Sequence, residues 1–366
     1  MNSVLSQENP ALIASKINSS FHIVKIDIDN HIDFDHHEVV YRCQDDESGL
    51  IAFIGIHNRN RGPSVGGCRM WNYASEADAI TDVLRLSRGM TYKNSVSSLD
   101  FGGGKAVIFG VPSKEKREAV LEAFGQFVNA LEGRYYTAED VGISPKDMSI
   151  VKRNTNFVYG LSEISGDPSP FTAFGVYQGI KAACEKKYGT DSLKNKRILV
   201  QGIGHVCYFL CEYLHQDGAQ LLVCDLNQSA CEKAKNNFNA EIVFSDQLFG
   251  LAIDIYAPCA LGGTLSAEFV NQFTGDIVSG AANNQLVTPS VGDLLHEKGV
   301  LYAPDYVINA GGIINISFEP DYSSVAAKQR VAKIRTTLRD LFERSESENV
   351  PTYRVADEMA LENLKQ

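Results

Sequence analysis

Two lysines bracket a stretch of nearly bare backbone. In "GMTYKNSVSSLDFGGGKAVIFG", residues 89–110, Lys93 closes an amphipathic run and Lys105 directly follows Gly102, Gly103 and Gly104. A phosphate loop of the form GxxxxGK[ST] is excluded: Leu99 stands five residues before Gly104 and Ala106 follows Lys105, so no hydroxyl is offered to magnesium. Glycines also let a backbone approach a ligand closely, which would press Lys105 against a small molecule. A tight glycine turn ahead of a surface lysine is the competing reading of this fragment.

The elements around these lysines can be read from periodicity. "SEADAITDVLRLSRGMTYKNSV" puts Ile80, Val83, Leu84, Ser87 and Met90 on one helical face, with Ser75 as N-cap, Asp78 three residues later, and Lys93 one turn beyond Met90. "LIAFIGIHN" (50–58) and "KAVIFG" (105–110) read as strands, 116–131 as a helix, and "RYYTAEDVG" (134–142) as a strand ending in acids. The tract "HIDFDHHEV" (31–39) has metal-like composition, but its imperfect alternation favours a surface edge strand. From about residue 170, "RILVQG", "QLLVCD", "DIYAPC", "DIVSGA" and "GVLYAPDYV" alternate with helix-like stretches, the pattern of a parallel doubly wound sheet. A single amphipathic helix is expected over 325–350, with Val331, Ile334, Leu338 and Leu341 inward.

The first of those strands leads into a dinucleotide signature. In "RILVQGIGHVCYFLCEYLHQDGAQLLVCDLN", Gly202 and Gly204 open a helix, Cys207 takes the third-glycine position, and Asp225 ends the next strand 23 residues after Gly202. Gly202 permits the tight turn, Gly204 the approach of a pyrophosphate, and the helix beginning near His205 supplies amide donors. Asp225 would accept both adenine-ribose hydroxyls and repel a 2′-phosphate, favouring NAD over NADP. Cys207 is expected to displace helix against strand slightly without abolishing the site.

Composition bounds the rest. With 366 residues, 44% hydrophobic and 22% charged, the chain reads as two ordinary globular domains. A net charge of −11 without a basic block disfavours nucleic acid and anionic membrane surfaces as partners. No window approaches the roughly 18 apolar residues of a membrane span. Residues 1–20 resemble neither a secretory signal nor a transit peptide, so a cytoplasmic protein is expected. The eight cysteines form no CxxC pair and sit mostly in apolar runs, as reduced core thiols do; no metal is expected.

Over nearly the whole chain after about residue 45 the sequence resembles the glutamate/leucine/phenylalanine/valine dehydrogenase family, with leucine dehydrogenases most similar. The likeness rests on "GPSVGGCRM", "LRLSRGMTYKNS", "GGGKAVI", "TAEDVG", "GDPSPFTAFGVYQGIKAA", "VQGIGHV", "APCALGG", "GAANNQL" and "YAPDYVINAGGIIN". The resemblance implies an α/β protein of two domains: an N-terminal α/β substrate and oligomerisation domain (1–160, with the C-terminal helix 330–366 packing back on it) and a doubly wound Rossmann-type NAD-binding domain (161–329). It implies NAD-linked, reversible oxidative deamination of an L-amino acid to its 2-oxo acid and ammonia, in a homo-octamer or homodimer. By motif, Lys93 would hold the substrate carboxylate with Gly66, Gly67, Met90 and Asn284. Lys105 would be the catalytic lysine and Asp140 its proton-transfer partner. Thr172, Gly202, Gly204, His205, Val206, Asp225, Cys259, Ala260 and Asn283 would line the cofactor.

The chemistry agrees with those roles. Hydride loss from Cα leaves a cationic imine that water must attack, and the base activating that water must be neutral, which a buried lysine beside a second cation can be. Val65 stands where glutamate-type relatives carry a lysine, and Ala138 and Val307 fall at side-chain-pocket positions, so a branched-chain aliphatic substrate is expected. The same reaction on phenylalanine or tryptophan, and a non-catalytic nucleotide-binding relative, are the alternatives. Departures from leucine-type enzymes lie in the longer N-terminus, Val65, Cys68, Trp71 and "NISFEPDYSS" (315–324).

Overall fold

In the computed structural model, which describes residues 20–248 and 250–365, the chain divides into two units, over residues 20–166 and 167–363. The N-terminal stretch read for targeting lies outside the described residues, apart from Ser20.

The first unit is a six-stranded sheet: β1 (Phe21–Ile26), β2 (Val39–Asp45), β3 (Leu50–Asn58), β4 (Ser64–Trp71), β5 (Gly102–Phe109) and β6 (Tyr135–Glu139), in the order β1-β2-β3-β5-β4-β6. The run β1-β2-β3-β5 is antiparallel, whereas β5, β4 and β6 are mutually parallel. One face buries Ile54, Cys68, Ala106 and Ile108; the other buries Phe53 and Val107 against Val83 and Leu84 of α1 (Glu76–Val96). Helices α2 (Arg117–Ala130) and α3 (Pro145–Val151) cover the first face through Phe124, Phe127, Met148 and Val151. Helix α1 starts as its sequence dictates, the Ser75 side chain accepting the Asp78 N–H, with Glu76 and Asp78 at its positive end and Lys93 at its negative end.

Because side chains alternate along a strand, Gly103, Lys105 and Val107 of β5 all point toward α1. A Cβ on Gly103 would lie 2.1 Å from the Thr91 backbone nitrogen, so the glycine is what lets α1 lie down on the sheet there. Asn94 ties the same turn down, donating from Nδ2 to the Gly102 carbonyl at 2.7 Å.

The second unit is an all-parallel sheet: β7 (Arg197–Gln201), β8 (Gln220–Cys224), β9 (Glu241–Ile242), β10 (Ile255–Pro258), β11 (Ile277–Val278) and β12 (Leu301–Tyr302), in the order β12-β11-β10-β7-β8-β9. The chain winds outward from β7 to β9, then returns beside β7 and winds the other way. This is the doubly wound order, with its switch point between β7 and β10. The helices of this unit are α4 (Ser169–Tyr188), α5 (His205–Gln216), α6 (Gln228–Phe238), α7 (Ala267–Gln272), α8 (Pro289–Glu297), α9 (Asp305–Ile308), α10 (Gly311–Ile316), α11 (Ser324–Ala332), α12 (Ile334–Glu348) and α13 (Thr352–Asn363).

Three expectations differ from this structure. Residues 31–37 form turns instead of an edge strand: the Asp33 and Asp35 amides donate to the rings of His31 and His37, local bonds that compete with a sheet ladder. "GVLYAPDYV" is a strand only at Leu301–Tyr302, since Pro304 ends it and α9 begins. The single helix over 325–350 is interrupted at Lys333, whose N–H turns back to the carbonyls of Arg330 and Val331. Helices α11, α12 and α13 group with the second unit, which runs to Asn363. Gly175 and Gly179 of α4 leave room for Ile334 and Leu338 of α12, and Gly292 of α8 leaves room for Tyr353 of α13.

The contact at Gly103 gives a paired test. Gly103→Ala should cost about 1–3 kcal/mol, because helix or strand must shift. Gly89→Ala, at an α1 position with nothing within 4 Å, should stabilise by roughly 0.5–1 kcal/mol. Urea unfolding midpoints measure both; an unchanged midpoint for Gly103→Ala would show that α1 is not pinned at this contact.

Candidate active site

In the first unit the sheet register brings the candidate residues onto one face. Gly67 pairs with Ala138 and Val65 with both Gly103 and Tyr136, so Val65, Gly67, Arg69, Gly103, Lys105 and Ala138 share the face that α1 covers. Asp140 follows β6 in the same alternation. Val65 and Ala138 are buried, and a Cβ on Gly66 would sit 3.0 Å from Cγ of half-buried Met90. Lys93 lies at the last turn of α1, partly exposed, where a cation meets the negative end of the helix.

Lys105 has 7% of its side chain exposed, and its Nζ lies 2.9 Å from Asp140 Oδ2. The same oxygen accepts from Arg69 Nε at 3.1 Å. Arg69 reaches on through NH1 to Asp82 Oδ2 at 3.0 Å, and Tyr73 donates its hydroxyl to that oxygen at 2.6 Å. Burial alone would raise the Asp140 carboxyl, but the charges of Lys105 and then Arg69 outweigh it and hold it down at about 2. Asp140 is therefore an anion at neutral pH, in hydrogen-bond contact with the lysine, and the pair can pass a proton. Arg69 had no role in the sequence reading. Strand alternation from Gly67 was the signal that could have found it.

The depressed carboxyl makes stability depend on pH in a defined direction. An unfolded Asp titrates near 3.8 and Asp140 near 2, so the pairing contributes fully above about pH 4 and is lost as pH falls through 2. Asp140→Asn should lower Tm at pH 5, and its gap to the unsubstituted protein should narrow as pH drops below 4. A gap that stays constant would contradict the pairing.

In the second unit the crevice at the β7/β10 switch point is built from the glycine turn and the loop after β10. Gly202 has φ +99, and a Cβ there would lie 2.5 Å from the Ala260 nitrogen and 2.7 Å from the Cys259 carbonyl carbon. Gly204 is the N-cap of α5 and has nothing within 4 Å of its Cβ position, leaving the helix N-terminus uncovered, with His205 exposed and Val206 partly so. Cys207 is accommodated inward, 1% exposed, with its thiol reaching Cys259; burial and that neighbour push it well up. Asp225 sits at the end of β8, its Oδ2 accepting the Ile203 N–H at 2.6 Å and its Oδ1 the Asn227 N–H at 2.7 Å.

Further along the sheet, Asn309 donates from Nδ2 to Asn283 Oδ1 at 2.7 Å, which turns the exposed Asn283 amide so that its NH₂ points away. Asn284 has φ +51, a left-handed conformation that Asn tolerates. Buried Gln285 holds this loop, donating to the carbonyls of Gly280 and Ala282. Thr172 of α4 lies against Gly311 and Gly312, and Val307 is buried in α9. The uncovered turn at Gly204 and the outward amide of Asn283 fit a dinucleotide with a carboxamide. Among the described residues no group of three or more His, Cys, Asp or Glu could hold a metal ion, and no helix is long and apolar enough to cross a membrane.

Comparison with known proteins agrees with both halves. The pattern "Glu/Leu/Phe/Val dehydrogenase, dimerisation domain" matches residues 36–157, and "Glutamate/Leucine/Phenylalanine/Valine dehydrogenase" matches residues 225–363. The leucine dehydrogenase of Geobacillus stearothermophilus is 47% identical over 336 residues, 91% of each chain. The phenylalanine dehydrogenase of Caldalkalibacillus thermarum is 42% identical over 340 residues, covering 90% of this chain and 91% of its own. Among solved structures, the L-tryptophan dehydrogenase from Nostoc punctiforme superposes with a TM-score of 0.80 at 38% identity, covering 90% of this chain and 96% of that one. With both sequence patterns matched in order along a chain of this fold, the protein belongs to the glutamate/leucine/phenylalanine/valine dehydrogenase family.

Proposed function

We propose that this protein is an amino acid dehydrogenase that oxidatively deaminates branched-chain aliphatic L-amino acids, reversibly, with NAD. The observation that carries the reading is the buried Lys105–Asp140 pair beside buried Val65 and Ala138, in a chain 47% identical to leucine dehydrogenases. The overall reaction takes amino acid, water and NAD⁺ to 2-oxo acid, ammonia, NADH and a proton. NAD, when bound, supplies the acceptor for the hydride that leaves Cα.

The chain's own residues supply the rest. Lys93 holds the substrate carboxylate, with Gly66, Gly67 and Met90 around it. Lys105, nearly sealed from solvent, takes the proton of the water that attacks the imine carbon. Asp140, 2.9 Å from Lys105, then moves protons between the substrate nitrogen and the carbinolamine oxygen until ammonia leaves. Gly202, Gly204, His205, Val206, Cys259, Ala260, Thr172 and Asn283 line the cofactor. Asp225 accepts the two ribose hydroxyls; a 2′-phosphate would meet its charge, and Leu226 and Asn227 bring no cation to offset it.

Side-chain choice follows from Val65 and Ala138. A substrate carboxylate buried against valine has no counter-charge and costs several kcal/mol, so glutamate is rejected. An aromatic substrate is the second reading, because a tryptophan dehydrogenase shares the fold at 38% identity. The first unit's match to a dimerisation domain supports a homo-oligomer, dimer or octamer, and buried thiols accord with a reducing cytoplasm.

Catalytic efficiency on leucine, valine, isoleucine, phenylalanine, tryptophan and glutamate, with NAD and with NADP, tests the reading. Branched aliphatic substrates with NAD should lead; phenylalanine should trail by the modest margin a methylene-sized difference allows, about 1–3 kcal/mol. Glutamate as best substrate would refute the role of Val65, and equal use of NADP that of Asp225. In the same assay, Lys105→Ala should lower kcat by roughly 10²–10⁴-fold or more. Lys93→Ala should chiefly raise KM, by the roughly 1.5–3 kcal/mol of a charge-assisted contact. Near-normal turnover in Lys105→Ala would remove it from the mechanism.

A further inference from the structure

Asp140 does not belong to Lys105 alone. Its Oδ2 is shared between the Lys105 ammonium at 2.9 Å and the Arg69 guanidinium at 3.1 Å, while Arg69 is itself divided between Asp140 and Asp82. We propose that Arg69 is a positioning residue: by competing with Lys105 for one oxygen of Asp140, it sets how readily Lys105 releases its proton. The inference rests on the proposed role of Lys105 as the base and adds the group that adjusts it.

The geometry gives the direction. With Arg69 present, two cations and two carboxylates alternate along Lys105–Asp140–Arg69–Asp82, so the Asp140 charge is divided. Without the guanidinium, the whole Asp140 charge falls on the lysine ammonium and a like charge is removed from its surroundings. Both changes make the ammonium hold its proton more firmly. Asp82 acts one step further out: as long as it accepts from Arg69 and Tyr73, it draws the guanidinium's charge away from Asp140.

The other groups around this chain do not offset it. The Cys68 thiol and the Tyr135 phenol, on the buried side of the sheet, are pushed well up by burial and stay neutral. Tyr73 is pushed up by burial and by its bond to Asp82, so it remains a donor. Glu139 precedes Asp140 on the opposite strand face. Lys93 stands at the last turn of the helix that carries Asp82.

The test pairs substitutions of opposite expected sign. In Arg69→Gln the acid limb of the kcat/KM profile should move to higher pH; in Asp82→Asn it should move to lower pH. Arg69→Lys, which keeps the charge without the two-way fork, should shift less than Arg69→Gln. The pH dependence of Lys105 acetylation by trace acetic anhydride, read by peptide mass spectrometry, should show the same order without relying on turnover. Reduced kcat with profiles superposable on the unsubstituted enzyme would overturn the proposal and leave Arg69 a packing residue. If Arg69→Gln does not fold, Asp82→Asn and Arg69→Lys still decide it, with unmoved profiles counting against. An unsubstituted protein that oxidises no amino acid would remove the proposed function, while the acetylation order would still stand or fall by itself.

Discussion

Helix α1 approaches β5 so closely at Thr91 that a side chain at Gly103 has no place, and most of the first unit's chemistry depends on that contact. A helix normally stands off a sheet by the thickness of the side chains between them. Here Gly55, Gly67 and Gly103 bare the sheet face beneath α1, on which Lys105 lies. The lysine is thereby 5% exposed and has a carboxylate as its near partner. Three successive glycines before a lysine are thus a packing device with a chemical result.

Putting a lysine in such a place would be costly without counter-charge, because an uncompensated ammonium out of water is unfavourable by several kcal/mol. The fold meets this with Asp140, which leaves β6 in line with Val65, Gly67 and Lys105 through the parallel register of β5, β4 and β6. Arg69 and Asp82 extend the alternation of charge toward Tyr73, so Asp140, Arg69 and Asp82 each have two partners. Neutral overall, the network holds the depressed Asp140 as an anion across the working range.

The second unit meets a different requirement, which is to leave backbone uncovered. At the switch point between β7 and β10 the Gly202 turn lies against the Cys259–Ala260 backbone, while Gly204 keeps the first turn of α5 open. Asp225 is steadied by the Ile203 and Asn227 amides, and Asn283 by Asn309, so the groups that would meet a dinucleotide are oriented by the protein itself. Cys207 shows how much variation this tolerates: its thiol turns inward to Cys259 and leaves the glycine turn its shape.

Local pattern determined a great deal. The helical period of 76–96 with its Ser75 cap, the strand over 50–58 and the glycine turn after 197–201 are written in neighbouring residues, because capping, alternation and left-handed turns are short-range effects. The dinucleotide turn was legible for the same reason, whereas the roles expected of Lys93, Lys105 and Asp140 came from the resemblance of their motifs to a family. Where competing local bonds or distant packing decided, reading along the chain fell short: the turns at 31–37, the break at Lys333, and the docking of α12 onto the glycines of α4. Arg69 marks the boundary between the two. Its type and strand parity were in the sequence, but its sharing of one carboxylate oxygen with Lys105 arises only when three strands align in register, a relation between residues 36 and 71 positions apart that no local rule contains.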